Sequence, residues 1–215
     1  MTRPGVTRIL LPAGLVLLAF IPSLVALMRV YQVPTGTLPI EKAYLGETPI
    51  SVVLHAICGA TFALFAPLQL FTSVRRRFPR LHKRLGWVLV SAGTIIAVTG
   101  LIMVALHPFS ATLPLRATRV VVGSLVIACL ALGIRAIKDR DIAGHRAWML
   151  RTYALILGAG TQAVILLPVL LTYGPLSAPL QDVATALCWP LNLAIAEWVI
   201  RRNANPRLRL QAIAA

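Results

Sequence analysis

Acidic residues are scarce in this chain: six Asp and Glu stand against twenty-one Lys and Arg, and all charged residues together make up 13% of 215 positions. Soluble globular domains carry about 25% charged residues, so an ordinary soluble domain is excluded. With 58% hydrophobic residues and a mean hydropathy of +0.83, the chain reads as a membrane protein. Cysteine is nearly absent too. Cys58, Cys129 and Cys188 are odd in number, sit in apolar surroundings and fit no zinc spacing. They exclude a disulfide framework and read as small packing residues. A glycine-rich phosphate loop, a Ser/His/Asp set and an HExxH helix are all missing, so nothing supports nucleotide binding or hydrolysis. A net charge of +15 would suit nucleic acid. The basic residues, however, lie between apolar runs and form no face of their own, so no nucleic-acid partner is expected.

What the chain has in abundance is long apolar sequence. Stretches near the 20 residues a bilayer requires run over 9–31, 50–72, 85–107, 117–137, 148–172 and 182–200. Backbone groups in lipid must be satisfied internally, which makes each a helix. The expected fold is all-α, a polytopic helical bundle with six transmembrane helices. Residues 1–49 are read as an anchor helix and external loop, 50–203 as a five-helix membrane core and 204–215 as a cytoplasmic tail. The apolar stretch from Ile9 to Met28 is too long for a signal peptide and no A-x-A site follows, so it is expected to stay as an anchor. Seventeen of the twenty-one basic residues fall on one side of the bundle, and only Arg29, Lys42, Arg116 and Arg119 on the other. The positive-inside rule then places both termini in the cytoplasm. The expected location is the bacterial cytoplasmic (inner) membrane, multi-pass, with the lipid bilayer and anionic lipid headgroups as partners. Tyr31 to Thr48, interrupted by "VPTG", is expected to be the longest external connection.

The fifth span opens on "AGHRAWMLRTYAL", residues 143–155. Arg146, Arg151, Trp148 and Tyr153 are what an interfacial helix end uses to anchor itself. The histidines divide by depth: His82 and His145 lie towards the basic side, His55 and His107 towards the other. At 100° per residue, His82, Gly86, Gly93, Gly100 and His107 share a face of the third span. Its glycines make a seam that another backbone or a flat ring can approach. His55, Gly59, Phe62, Ala66 and Gln69 line the second span, and His145, Met149, Thr152, Ile156 and Ala159 the fifth.

Two neutral imidazoles facing each other across helices can ligate a haem iron axially. His82 and His145 are therefore the candidate metal ligands for a b-type haem, with His55, Arg146 and Arg151 as further cofactor-binding candidates. The competing reading makes each His an interfacial hydrogen-bonding residue and the cations partners of lipid phosphates, with no cofactor. His107, followed by Pro108, is assigned to that structural role. In "CWPLNLAIAEWVI" of the sixth span, Pro190 exposes an earlier carbonyl, so Asn192 is expected to repair or exploit a kink. Glu197, an ionisable group within a span, either pairs with Arg151 or Arg135 or serves a function.

Four stretches, "HAICGATFALFAPLQL", "RRRFPRLHKRLGWVLV", "HRAWMLRTYAL" and "WPLNLAIAEWVI", occur in this order over roughly residues 50 to 200. In them the chain resembles the bacterial integral membrane proteins grouped as domain of unknown function 2306, a family whose name brings no established activity. Where members carry an Arg soon after "YAL", this chain has Gln162 and Ala163. His55, His82 and His145 also give a weaker likeness to the transmembrane two-haem cytochromes b, whose histidines occupy four consecutive helices; the fourth span here has none. That likeness implies at most a single haem, held by His82 and His145. Two function classes follow: a haem-bearing membrane redox protein, or a non-enzymatic membrane protein such as a small transporter or assembly partner. Whether the protein is an enzyme stays open.

Overall fold

The computed structural model describes residues 6–204. Its helices are α1 (Val6–Thr35), α2 (Pro49–Leu70), α3 (Thr72–Arg77), α4 (Pro79–Leu106), α5 (Leu113–Lys138), α6 (Ile142–Ile156), α7 (Gly158–Tyr173) and α8 (Ala178–Ala204). Six stretches are long and apolar enough to cross a bilayer, α6 and α7 together supplying the fifth, Ile142–Tyr173. The protein is thus an all-helical membrane bundle, as its hydropathy implies.

Several helices start earlier than their apolar sequence does, and proline is the reason in three of them. Pro49, Pro79 and Pro114 occupy the first positions of α2, α4 and α5. A missing N–H costs nothing in a first turn, and the fixed φ favours helix there. The helix α4 therefore begins at Pro79 rather than 85 and takes in Arg80, Lys83 and Arg84, whose exposed side chains snorkel. In α6 the same job falls to Asp141, which caps the helix by accepting from the Gly144 N–H at 2.8 Å. The connection expected from Tyr31 to Thr48 is also more ordered than its sequence suggests: α1 continues to Thr35 and a 3-10 segment covers Ile40–Glu47.

Packing neighbours form a closed cycle, α1–α2–α4–α5–α8–α7 and back to α1, with α6 against α5 and α8 inside it. Four consecutive residues of α6, Thr152, Tyr153, Ala154 and Leu155, are all buried. A helix with one face on lipid cannot bury four in a row, since they point in four directions. Two apolar clusters flank α6: Phe62, Ala66, Leu89, Ile96 and Tyr153 on the α2 side, and Ala97, Val126, Cys129, Leu130 and Leu155 on the α5 side. Cys129 and Cys188 are buried and Cys58 is partly so, all free thiols, in keeping with packing.

The fifth span breaks at Leu157, between α6 and α7. Asn192 of α8 fills the break: its Nδ2 donates to the Ala154 carbonyl at 3.1 Å, and the Thr161 hydroxyl donates to its Oδ1 at 2.8 Å. The Trp189 indole lies against Gly158, where any Cβ would collide with the ring. Asn192 does repair a kink, but in the fifth span rather than in its own helix. The break also turns the register, so Ala159 is exposed although Thr152 on the same nominal face is buried. Asn192→Leu removes both bonds and leaves a carbonyl unsatisfied in an apolar setting, a loss of about 2–3 kcal/mol. Thermal unfolding in detergent should show a clearly lowered midpoint; an unchanged midpoint would deny Asn192 this role.

Candidate functional site

Four polar side chains of α2, α4 and α6 lie in the basic half of the bundle. His145 enters in the first turn of α6, and its Nδ1 lies 2.9 Å from the Gly133 carbonyl of α5. A carbonyl only accepts, so Nδ1 carries the proton and donates it. In the neutral form of the ring the lone pair is then on Nε2. Gly133 is the residue that permits this approach, because a Cβ there would collide with Met149 of α6. His82 stands in the first turn of α4, as His145 does in the first turn of α6. Its Nδ1 is buried and has no hydrogen-bond partner among the described residues. The helices α4 and α6 meet through side chains further along, Leu89 with Tyr153 and Ala97 with Leu155, and a Cβ on Gly93 would lie 3.4 Å from Ile156.

Gln69 and Tyr153 complete the group. The Gln69 side chain crosses to α4, where a Cβ on Gly86 would lie 3.8 Å from its Oε1. Its Nε2 is buried without a partner among the described residues. Tyr153 is 6% exposed, stacks on Phe62 with ring centroids 6.4 Å apart, and its hydroxyl is likewise buried and unpartnered. This corrects the reading of Tyr153 as an interfacial anchor. Because α6 is enclosed by other helices, its aromatic ring meets protein instead of headgroups. The glycine seam faces protein as well: a Cβ on Gly93 would sit 3.2 Å from Leu130, 3.4 Å from Ile156 and 3.4 Å from Phe62.

The other two histidines are elsewhere. His55 bonds through Nδ1 to the Thr99 hydroxyl at 3.0 Å, and that hydroxyl donates onward to the Ile95 carbonyl at 2.6 Å. Thr99 lies seventeen residues from His82 on α4, about 25 Å along the axis. The structure therefore does not bring His55 to the His82–His145 pair. His107 is 6% exposed and fully engaged: Nε2 is 2.9 Å from Thr48 Oγ1, Nδ1 is 3.6 Å from Glu47, and Tyr44 packs on the ring at 5.2 Å. It pins the 3-10 segment onto the end of α4, the structural role its position suggested.

Glu197 pairs with Arg151 rather than Arg135. Arg151 donates from Nε at 2.5 Å and from a terminal nitrogen at 3.1 Å, one bond to each carboxylate oxygen, and its guanidinium lies 4.4 Å over the Trp148 ring. Arg135 instead meets Asp139 at 3.7 Å on the surface. Arg151 is thus committed to holding α6 on α8. Lys83, Arg84 and Arg146 remain exposed around the histidine pair. Sequence reasoning missed the Gly133 acceptor and the burial of Tyr153. A backbone carbonyl has no sequence signature, and an aromatic about three turns into a span looks the same facing lipid or protein.

Residues 52–200 match the family model described as "Predicted membrane protein (DUF2306)". No curated protein and no solved structure matches the chain. The matched region runs from the first turn of α2 into the last turns of α8 and includes His55, Gln69, His82, His107, His145, Arg151, Tyr153 and Glu197.

Proposed function

The chain belongs to the DUF2306 family of predicted membrane proteins, and from that premise we propose that it is an electron-transfer protein holding one b-type haem between His82 and His145. The observation that carries this reading is the Gly133 carbonyl on His145 Nδ1. A metal-ligating histidine characteristically donates its second ring nitrogen to a carbonyl or carboxylate, which fixes the tautomer and turns the lone pair to the metal. His82 supplies the second imidazole from the opposite helix. Among the described residues no group of three or more His, Cys, Asp or Glu side chains could hold a metal ion. His82 and His145 would be the two protein ligands if a haem were bound there. A b-type haem supplies one-electron chemistry when bound.

The chain's own residues do the rest. The Gly133 bond orients His145, and exposed Lys83, Arg84 and Arg146 match the propionates in charge. The same cations suit anionic headgroups of the cytoplasmic leaflet, which supports the reading that the basic end lies on the cytoplasmic side of a bacterial inner membrane. The test is an absorption spectrum of protein made in haem-sufficient cells, beside His82→Ala and His145→Ala. A Soret band in the parent, lost in both variants, is the expected result. A colourless parent overturns the reading and leaves a membrane protein whose polar groups serve packing and lipid contact.

A further inference from the structure

From Thr48 to Lys138 the chain has no acidic residue, yet Arg75, Arg76, Arg77 and Arg80 crowd the corner where α3 meets α4. The short helix α3 continues neither neighbouring span. Phe71 before it is extended, at φ −80° and ψ 119°, and Phe78 after it leaves helical space ahead of Pro79. The helix packs on both α2, which ends at Leu70, and α4, which begins at Pro79. The corner therefore sits where two spans leave the bilayer. Arg76, Arg77 and Arg80 are exposed and Arg75 is half-buried. Phe78 and Leu81 stand among them, each 51% exposed, and the Arg77 guanidinium lies 5.8 Å over the Phe78 ring.

Elsewhere at the basic end, arginines have carboxylates at hand. Arg151 holds Glu197, and Arg135 meets Asp139 at 3.7 Å. Among the described residues none of the four corner arginines makes such a pair. Their mutual repulsion is thus offset from outside the chain. A soluble acidic partner would meet the charge but leave the apolar surface of Phe78 and Leu81 uncovered. A surface with negative charge outermost and hydrocarbon just beneath meets both needs. A zwitterionic headgroup does not, because its own ammonium cancels the phosphate.

We infer that the α3–α4 corner is a docking surface for anionic phospholipid, with phosphate on the four arginines and hydrocarbon against Phe78 and Leu81. The positive-inside rule accounts for the side on which cations stand; it does not require the folded chain to prefer one lipid over another. The inference goes beyond the electron-transfer reading and does not rest on it, since neither ligand histidine takes part.

The experiment uses the full chain in detergent, titrated with dioleoylphosphatidylglycerol and separately with dioleoylphosphatidylcholine, bound lipid being counted by native mass spectrometry. Each cation near an anionic surface strengthens binding about fivefold. The parent should therefore take the anionic lipid at least about tenfold more tightly than the zwitterionic one. Arg75→Gln, Arg76→Gln, Arg77→Gln and Arg80→Gln together should bring the ratio close to one, whereas Arg→Lys at the same positions should keep it. If the fourfold variant does not assemble, Arg76→Gln with Arg77→Gln reads the same effect, a fall of about fivefold or more. Lys138→Gln with Arg140→Gln removes two exposed cations that have Asp139 and Asp141 beside them in sequence, and should leave the ratio unchanged. Equal affinity for the two lipids overturns the inference, as does a preference that survives the Arg→Gln changes or falls as far in the Lys138 and Arg140 control. Glycerol phosphate displacing the lipid at equal concentration overturns it too, because that would make the corner an anion site without use for hydrocarbon. Haem content is read on the same samples by absorption, so a colourless chain that keeps the lipid preference sinks only the haem reading.

Discussion

Glu197→Ala should be among the most damaging single substitutions in the membrane core, and worse than removing both partners. The carboxylate accepts two bonds from Arg151 in a bidentate pair whose side chains are 21% and 29% exposed. Arg151 lies nine residues into α6, about 14 Å from its first residue, too deep for its head to reach water easily. Removing Glu197 therefore strands a guanidinium, with only the Trp148 face at 4.4 Å to offset its lost hydration. Breaking a fully buried pair costs about 3–5 kcal/mol. Partial exposure reduces that, so a loss of about 2 kcal/mol is expected here. Arg151→Leu with Glu197→Leu removes both charges and keeps apolar contact between α6 and α8, so it should unfold later than Glu197→Ala alone. The measurement is thermal or denaturant unfolding in detergent for both proteins. If the single variant matches the parent, the pair is not what holds α6 to α8.

The span positions were legible because bilayer crossing is a matter of length and mean apolarity, which any packing arrangement must respect. The similar depth of His82 and His145 was legible for a related reason: both stand at the start of helices that rise from the same side, so similar depth needs no further information. Helix ends were less so. Hydropathy marks where apolar residues begin, whereas Pro79 and Asp141 set where helical geometry begins. The break at Leu157 was hidden, since "LILGAGTQA" is as apolar as an unbroken span. Its cause is long-range: Asn192 and Trp189 of α8 reach into it. The enclosure of α6 escaped the sequence on the same ground. Its four buried residues include a Thr and a Tyr that on composition alone suit an interface, and only the ring of neighbours around them decides otherwise.

Gly160→Ala should destabilise the bundle far more than Gly93→Ala, although Gly93 belongs to the seam that stands out in the sequence. A Cβ on Gly93 would meet three side-chain ends, the nearest at 3.2 Å, and such ends move by a few tenths of an ångström at small cost. On Gly160 the Cβ would collide with the backbone carbonyl of Leu18 in α1. That carbonyl belongs to a helical turn and cannot rotate away without breaking its own hydrogen bond. The whole of α7 would have to shift from α1, reopening the closed cycle of helices at that point. Overpacking of this kind costs about 1–3 kcal/mol when side chains can adjust, and more when backbone must. In lipid there is no hydrophobic driving force to press α1 back, only close packing of small residues. Unfolding in detergent should therefore show a modest loss for Gly93→Ala and a loss of about 3 kcal/mol or more for Gly160→Ala. Equal stabilities would mean that α1 does not touch α7 this closely, and the cycle of neighbours around α6 would then be open on that side.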